Sequence, residues 1–292
     1  MERHLKVLMI GNSFSICVGK FLPQIVKANP PHSLELHSMY IGGCTLHRHY
    51  DCLVKAEQEP DYAPYTVTVW KSEDAPSKAL ERAGNVNEML QNNQYDIITM
   101  QQGSAESWKP EEYEPYASEL IKYIRKYQKH AEIVIQETWS YRSDAEARFR
   151  EFGISQAEMY ARLKVAYRQF SERYGFRVIP TGDAVQLFRE RTPVKFVRET
   201  REYKYPELPT ENGDVVGHAA WNDSKENSNE KILGVDACHL NEAGCFMQAA
   251  LWFAFLYGEP TSKAASSAPE LKYNSDIPLL LQCAEDALKS WK

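Results

Sequence analysis

The sequence predicts an α/β protein built on a mostly parallel sheet with helices on both faces. Three observations carry that expectation. Five short, apolar, β-favouring runs recur along the chain. Segments of helical periodicity separate them. The residues best suited to chemistry fall at the carboxyl ends of those runs, where ligands bind in open α/β sheets.

The first run is Leu5–Ile10, which ends at Gly11-Asn12-Ser13 and leads into a helix reaching Ala28. Leu34–Tyr40 is the second and ends at Ile41-Gly42-Gly43, where paired glycines permit close backbone approach. Residues 44 to 95 read as an insertion or cap. Within it Tyr65–Trp70 alternates like a hairpin strand, and Pro76–Leu90 reads as a helix after its proline. Asp96–Gln102 is the third core run, followed by a helix over Pro115–Lys129, and Ala131–Gln136 is the fourth. Met159, Leu163, Ala166, Tyr167 and Phe170 repeat at helical spacing between Gln156 and Tyr174, and Gly175 supplies the stop. Phe176–Pro180 is the fifth run. Residues 190 to 235 lack sustained periodicity and read as a long excursion. After it, Asn241 caps an apolar helix ending at Gly258.

The chain has 292 residues, a length that suits one large α/β domain or two smaller ones. We read it as one domain over residues 1 to 292 with insertions at about 44 to 95 and 190 to 235. A net charge of -6 disfavours a general nucleic-acid surface. Cys245–Tyr257, the most apolar stretch, is too short to span a bilayer and reads as a buried helix. The cysteines at 17, 44, 52, 238, 245 and 283 form no C-x-x-C pair and read as reduced thiols. The first ten residues carry no recognisable export signal, so the expected location is cytoplasmic.

Ser13 sits where a strand turns into a helix, a place whose backbone N–H groups and dipole suit an oxyanion. The competing reading makes Ser13 the ordinary N-cap of that helix. Asp236 lies three residues before His239, a spacing at which a carboxylate can hold the imidazole tautomer of a general base. Taken alone, each signal is weak.

In order and context, Ile10-Gly11-Asn12-Ser13-Phe14 and Asp236-Ala237-Cys238-His239-Leu240 resemble the first and last blocks of the SGNH/GDSL hydrolase superfamily. The sequences Gly11-Asn12-Ser13-Phe14-Ser15, Gly42-Gly43-Cys44-Thr45-Leu46, Met100-Gln101-Gln102-Gly103-Ser104 and Glu137-Thr138-Trp139-Ser140-Tyr141 resemble a little-characterised bacterial branch of it. The resemblance implies a three-layer, flavodoxin-like α/β/α fold with a five-stranded parallel sheet. It further implies a triad of Ser13, His239 and Asp236, with Gly43 as an oxyanion donor and Gly42 as the neighbouring candidate.

Two departures stand out. Asn12 replaces the family's aspartate before the serine, and Gln101-Gln102-Gly103 stands where the third block supplies an asparagine. Gln102 is therefore the expected third oxyanion donor, with Gln101 as the alternative. The expected activity is hydrolysis of a carboxylic ester, namely a short acyl group such as acetyl on a carbohydrate or similar polar compound. An acyltransferase using the same acyl-enzyme and a non-catalytic carbohydrate-binding module are the rivals.

No cofactor or metal is expected. His47 and His49 fit no specific metal motif without a third ligand. Trp108, Trp139, Tyr141 and Trp221 could either stack on sugar rings or pack internally. Cys44 and Cys238, which flank proposed site residues, read as small buried spacers.

Overall fold

Strand β1 (His4–Gly11) is buried on both faces from Val7 to Ile10, the pattern of a strand at the centre of a covered sheet. The computed structural model describes residues 2–75, 79–224 and 230–291. After β1 come a short helix α1 (Ser13–Ile16), a 3-10 turn at Cys17–Lys20, and helix α2 (Leu22–Lys27). β2 (Ser33–Tyr40) then pairs parallel with β1.

Residues 44 to 95 contain α3 (Leu46–Gln58), β3 (Tyr65–Lys71), β4 (Leu80–Gly84) and α4 (Val86–Asn92). β5 (Ile97–Met100), α5 (Tyr116–Tyr127) and β6 (Glu132–Gln136) follow. Next are α6 (Glu146–Phe152), α7 (Gln156–Tyr174), β7 (Val178–Ile179) and α8 (Thr181–Arg191). α7 starts at a capping box of Ser155 and Glu158 and ends at Gly175, whose φ of 67° is the left-handed stop that favours glycine. The chain closes with β8 (Val216–Asp223), β9 (Lys231–Leu240), α9 (Glu242–Tyr257) and α10 (Ile277–Lys289).

The main sheet has the order β4-β3-β2-β1-β5-β6-β7. β2, β1, β5, β6 and β7 run parallel and correspond to the predicted core runs. β3 and β4 add antiparallel to the β2 edge, so the sheet has seven strands where five were expected. The expected helix over Pro76–Leu90 is corrected in the same place. Residues 76 to 78 lie outside the described residues, Leu80–Gly84 is a strand paired with β3, and only Val86–Asn92 is helical, capped by Asn85.

α2, α9, α10 and α8 pack together on one face of the sheet, and α3, α4 and α5 pack together on the other. Together with the sheet they form an α/β/α sandwich. The chain leaves β1 towards β2 on one side and returns through β5 on the other, so a crevice opens at the carboxyl ends of β1 and β5.

The excursion is not wholly irregular. β8 and β9 form a two-stranded antiparallel sheet of their own, with residues 225 to 229 outside the described residues. Two buried arginines, each in an ion pair, tie this hairpin to the body, Arg142 by donating to Val216 O at 3.4 Å and Arg189 through Asp214 just before β8. Arg142 grips Asp144 at 2.7 and 2.9 Å, and Arg189 binds Asp214 at 2.9 Å while donating to Ser140 Oγ at 2.7 Å. Gly217, at φ 93°, lies so close to the Arg142 guanidinium that a Cβ would fall 2.4 Å from its central carbon. The carboxyl end of β9 is thereby fixed over the carboxyl end of β1.

Candidate active site

Ser13 is the first helical residue of α1, and the cap is Asn12. The Asn12 side chain accepts from Phe14 N at 3.0 Å, which leaves the Ser13 hydroxyl unused by the helix. Asn12 is itself held on both sides. Its amide donates to Cys44 O at 2.9 Å, and its carbonyl accepts from Gln101 Nε2 at 2.6 Å. The turn after β1 is therefore tied to the turn after β2 and the loop after β5.

The Ser13 hydroxyl meets His239 Nε2 at 2.7 Å, and His239 Nδ1 meets Asp236 Oδ2 at 2.6 Å. Asp236 Oδ1 accepts from the backbone N–H groups of Cys238 and His239 at 2.7 and 2.9 Å. Burial alone would raise the Asp236 pKa, but these hydrogen bonds and the imidazole hold it well below the usual aspartate range. The carboxylate is thus ionised and oriented towards Nδ1. Asn241 caps α9 by accepting from Gly244 N at 3.2 Å and donates to Asp214 O at 2.9 Å, which anchors the segment carrying His239.

Gly42 and Gly43 are exposed in a turn closed by Cys44 N donating to Ile41 O at 3.2 Å, with Gly43 at φ 61°. Among the described residues, neither the Ser13 N–H nor the Gly43 N–H is taken by a backbone partner.

The glutamines differ from expectation. Gln102 is fully buried, with Oε1 accepting from Leu46 N and Gly103 N at 2.8 Å and Nε2 donating to Glu112 O at 2.9 Å. Its amide straps the start of α3 to the turn at Pro110–Glu112 and does not face the crevice. Gln101 is equally buried and spends its amide on Asn12. Two adjacent glutamines after a strand gave no sign of which way either would point.

The family model described as a domain of unknown function, DUF4886, matches residues 6–205 of the chain. The chain belongs to the DUF4886 family. A crystal structure of a DUF4886 protein from Bacteroides uniformis is similar over 99% of this chain and 94% of that one, at 23% identity and a TM-score of 0.72. A structure from Slackia heliotrinireducens, provisionally described as an SGNH hydrolase, is similar over 87% of this chain and 100% of that one, at 17% identity and a TM-score of 0.51. At those identities the likeness is one of fold. No functionally curated protein matches the sequence.

In this DUF4886 protein the aromatic residues after β6 support the site from behind. Phe14 stacks on Trp139 at 4.1 Å between ring centres and packs edge-on to His239 at 5.5 Å. Trp139 Nε1 donates to Cys238 O at 2.8 Å, and Arg142 N donates to Ala237 O at 2.8 Å. Trp139, Tyr141 and Trp108 are buried, so they are packing residues and not open stacking faces. Trp221 is partly exposed on β8 and donates to Glu207 O at 2.8 Å. Sequence reasoning noted Trp139 but missed its hydrogen bond to the histidine segment, which joins residues nearly 100 positions apart.

The two histidines of α3 diverge. His47 is exposed and stacks on Tyr116 at 4.0 Å. His49 is buried against the Tyr65 hydroxyl at 2.9 Å, and burial pushes its imidazole down to about 3. No group of three potential metal-ligating side chains occurs among the described residues. Burial pushes the thiols of Cys44 and Cys238 up to about 12, so both stay protonated and poorly nucleophilic near neutrality. No helix among the described residues is long and apolar enough to cross a membrane.

Beside the chain of hydrogen bonds from Ser13 to Asp236 lies a pocket of about 700 Å³. Asp236 and His239 form part of its wall, α6 contributes Arg148, and the excursion contributes Phe196, Arg198 and Tyr203. Guanidinium groups and aromatic faces together suit a polar organic ligand with some flat apolar surface.

Proposed function

We propose that this DUF4886 protein is a serine hydrolase of the SGNH type that cleaves a carboxylic ester. The observation that carries this reading is the unbroken chain of hydrogen bonds from Ser13 Oγ through His239 to Asp236. His239 Nε2 takes the Ser13 proton as Oγ attacks the ester carbonyl, and the Asp236 carboxylate stabilises the imidazolium. The tetrahedral oxyanion lies against the Ser13 and Gly43 N–H groups. Collapse expels the alcohol, protonated by His239, and leaves an acyl-serine. His239 then activates water to release the acid.

The hole in this reading has two backbone donors, because Gln102 and Gln101 are engaged elsewhere. The pocket beside His239 takes part of the ester, and its mixed polar and aromatic wall favours a short acyl group on a carbohydrate or similar polar alcohol. The test is a fluorophosphonate probe together with a panel of p-nitrophenyl esters and acetylated sugars. Labelling at Ser13, and turnover lost in Ser13→Ala and His239→Ala, are the expected results. No label and no turnover in a folded wild-type protein would overturn the assignment.

A further inference from the structure

Two thiols outside the relay lie where the serine's helix meets the histidine's helix. Cys17 follows α1, four residues after Ser13, and Cys245 lies in the first turns of α9, six residues after His239. The two segments are pinned together. Lys20 Nζ binds Glu242 at 2.8 Å, and Phe21 packs edge-on to Phe246 at 5.9 Å. The Cys17 thiol lies 2.9 Å from Gln248 Oε1, and Gln248 is the residue one turn beyond Cys245 on the same face of α9. Gln248 Nε2 in turn donates to Phe14 O at 3.1 Å, directly beside the nucleophile.

The Cys17 thiol faces Gln248 Oε1 and, at 4.0 Å, Phe14 O, while Cys245 Sγ reaches Leu240 O at 3.7 Å, and the two thiols are near enough to interact electrostatically. Their interaction favours the Cys245 thiolate and disfavours that of Cys17. Both cysteines are free, with Cys17 partly exposed and Cys245 buried behind it. Two free thiols at one helix junction, one of them open to solvent, have what disulfide formation requires.

We infer that Cys17 and Cys245 form a reversible dithiol–disulfide pair that ties the geometry of the Ser13 helix to that of the His239 helix. The oxidant is a peroxide. One sulfur of the pair attacks the O–O bond as its thiolate, becomes a sulfenic acid, and the departing oxygen leaves as water after taking a proton. The second sulfur attacks the sulfenic sulfur, the S–S bond forms, and the hydroxyl leaves as water with the second thiol proton. Two thiols and one hydrogen peroxide thus give one disulfide and two waters. The bond draws the sulfurs to about 2.05 Å and removes the Cys17 hydrogen from Gln248, which together with Gln136 donates to the Phe14 carbonyl.

The experiment treats the full-length protein with hydrogen peroxide, blocks remaining thiols, and maps peptides without reduction. The expected result is a Cys17–Cys245 linked peptide that has lost two hydrogens and is cleaved by dithiothreitol. Cys17→Ser and Cys245→Ala variants should not form it. The effect on the relay rests on the hydrolase reading and is followed by the rate of fluorophosphonate labelling. That rate should fall roughly ten- to a hundredfold on oxidation, as small misplacements of reacting groups cost, and recover on reduction. Peroxide that leaves both thiols reduced, or oxidises Cys17 without linking it, overturns the pair. A linked peptide with unchanged labelling overturns the coupling. A linked peptide in a protein that never labels refutes the hydrolase reading and leaves the pair standing.

Discussion

Replacing Asp236 with asparagine tests the proposed Ser13–His239–Asp236 relay more sharply than deleting the side chain. The Oδ1 position accepts two backbone N–H groups, from Cys238 and His239 at 2.7 and 2.9 Å. An asparagine must place its carbonyl oxygen there, because an NH2 group would face two donors. Its amide nitrogen then occupies the Oδ2 position, 2.6 Å from His239 Nδ1, and donates to it. That donation requires Nδ1 without a proton and puts the proton on Nε2, the atom that faces Ser13 Oγ at 2.7 Å. The imidazole can no longer accept the serine proton. Loss of the correct tautomer costs about 10⁴ in kcat, or roughly 5.5 kcal/mol of transition-state stabilisation. KM and the fold should change little, since both backbone bonds survive. Asp236→Ala makes the contrast: it frees the tautomer and so should lose less kcat, but it strands the two N–H groups and should lose more stability. The assay is steady-state ester hydrolysis beside urea denaturation. An asparagine variant within tenfold of wild type, or one less active only because it is less stable, would refute the tautomer argument.

Three further outcomes are expected. Asn12→Asp replaces the amide that donates to Cys44 O at 2.9 Å with an oxygen facing that carbonyl. It should lower stability by about 1–3 kcal/mol at neutral pH, read from urea midpoints. Phe196→Ala opens the pocket wall and uncovers the Arg142 guanidinium, which lies 4.1 Å from its ring centre. KM for a bulky ester should rise severalfold while kcat for p-nitrophenyl acetate is retained; the opposite pattern would place Phe196 outside substrate binding. Glu137, just after β6, is buried against the start of α8, accepting from Asp183 N at 2.8 Å, and burial followed by the Asp183 charge raises its pKa well above the usual value. The folded state therefore holds a proton that the unfolded state releases above about pH 4.5, so the contribution of Glu137 to stability falls as pH rises towards its folded pKa. Thermal melts from pH 5 to 8 should show wild type losing stability relative to Glu137→Gln, and parallel curves would remove Glu137 as the cause.

Some elements could be read in one dimension because their determinants are local. α7 carries its cap at Ser155, its periodic face and its Gly175 stop within one stretch of chain. The parallel strands announce themselves as apolar runs because helices cover both their faces. Leu80–Gly84 shows the opposite case. Its first four residues are exposed, so no burial pattern marks it, and it is a strand because β3 offers it a partner.

The site divides along the same line. Asp236 and His239 are three residues apart, and their hydrogen bonds close within that loop, so the pair was legible as a unit. Gln102 was read as an oxyanion donor from its place after β5, yet an amide's direction depends on what surrounds it, and Leu46 N and Glu112 O claim it. The sequence by itself determined the alternation of strands and helices, the strand-to-helix turn at Ser13 and the Asp236–His239 unit, all of which depend on neighbours in the chain. Only the tertiary structure decided the two added strands, the commitment of both glutamines and the approach of Ser13 to His239 across 226 residues. Those follow from which buried polar groups find partners when the layers close, a condition that nearby residues alone do not specify.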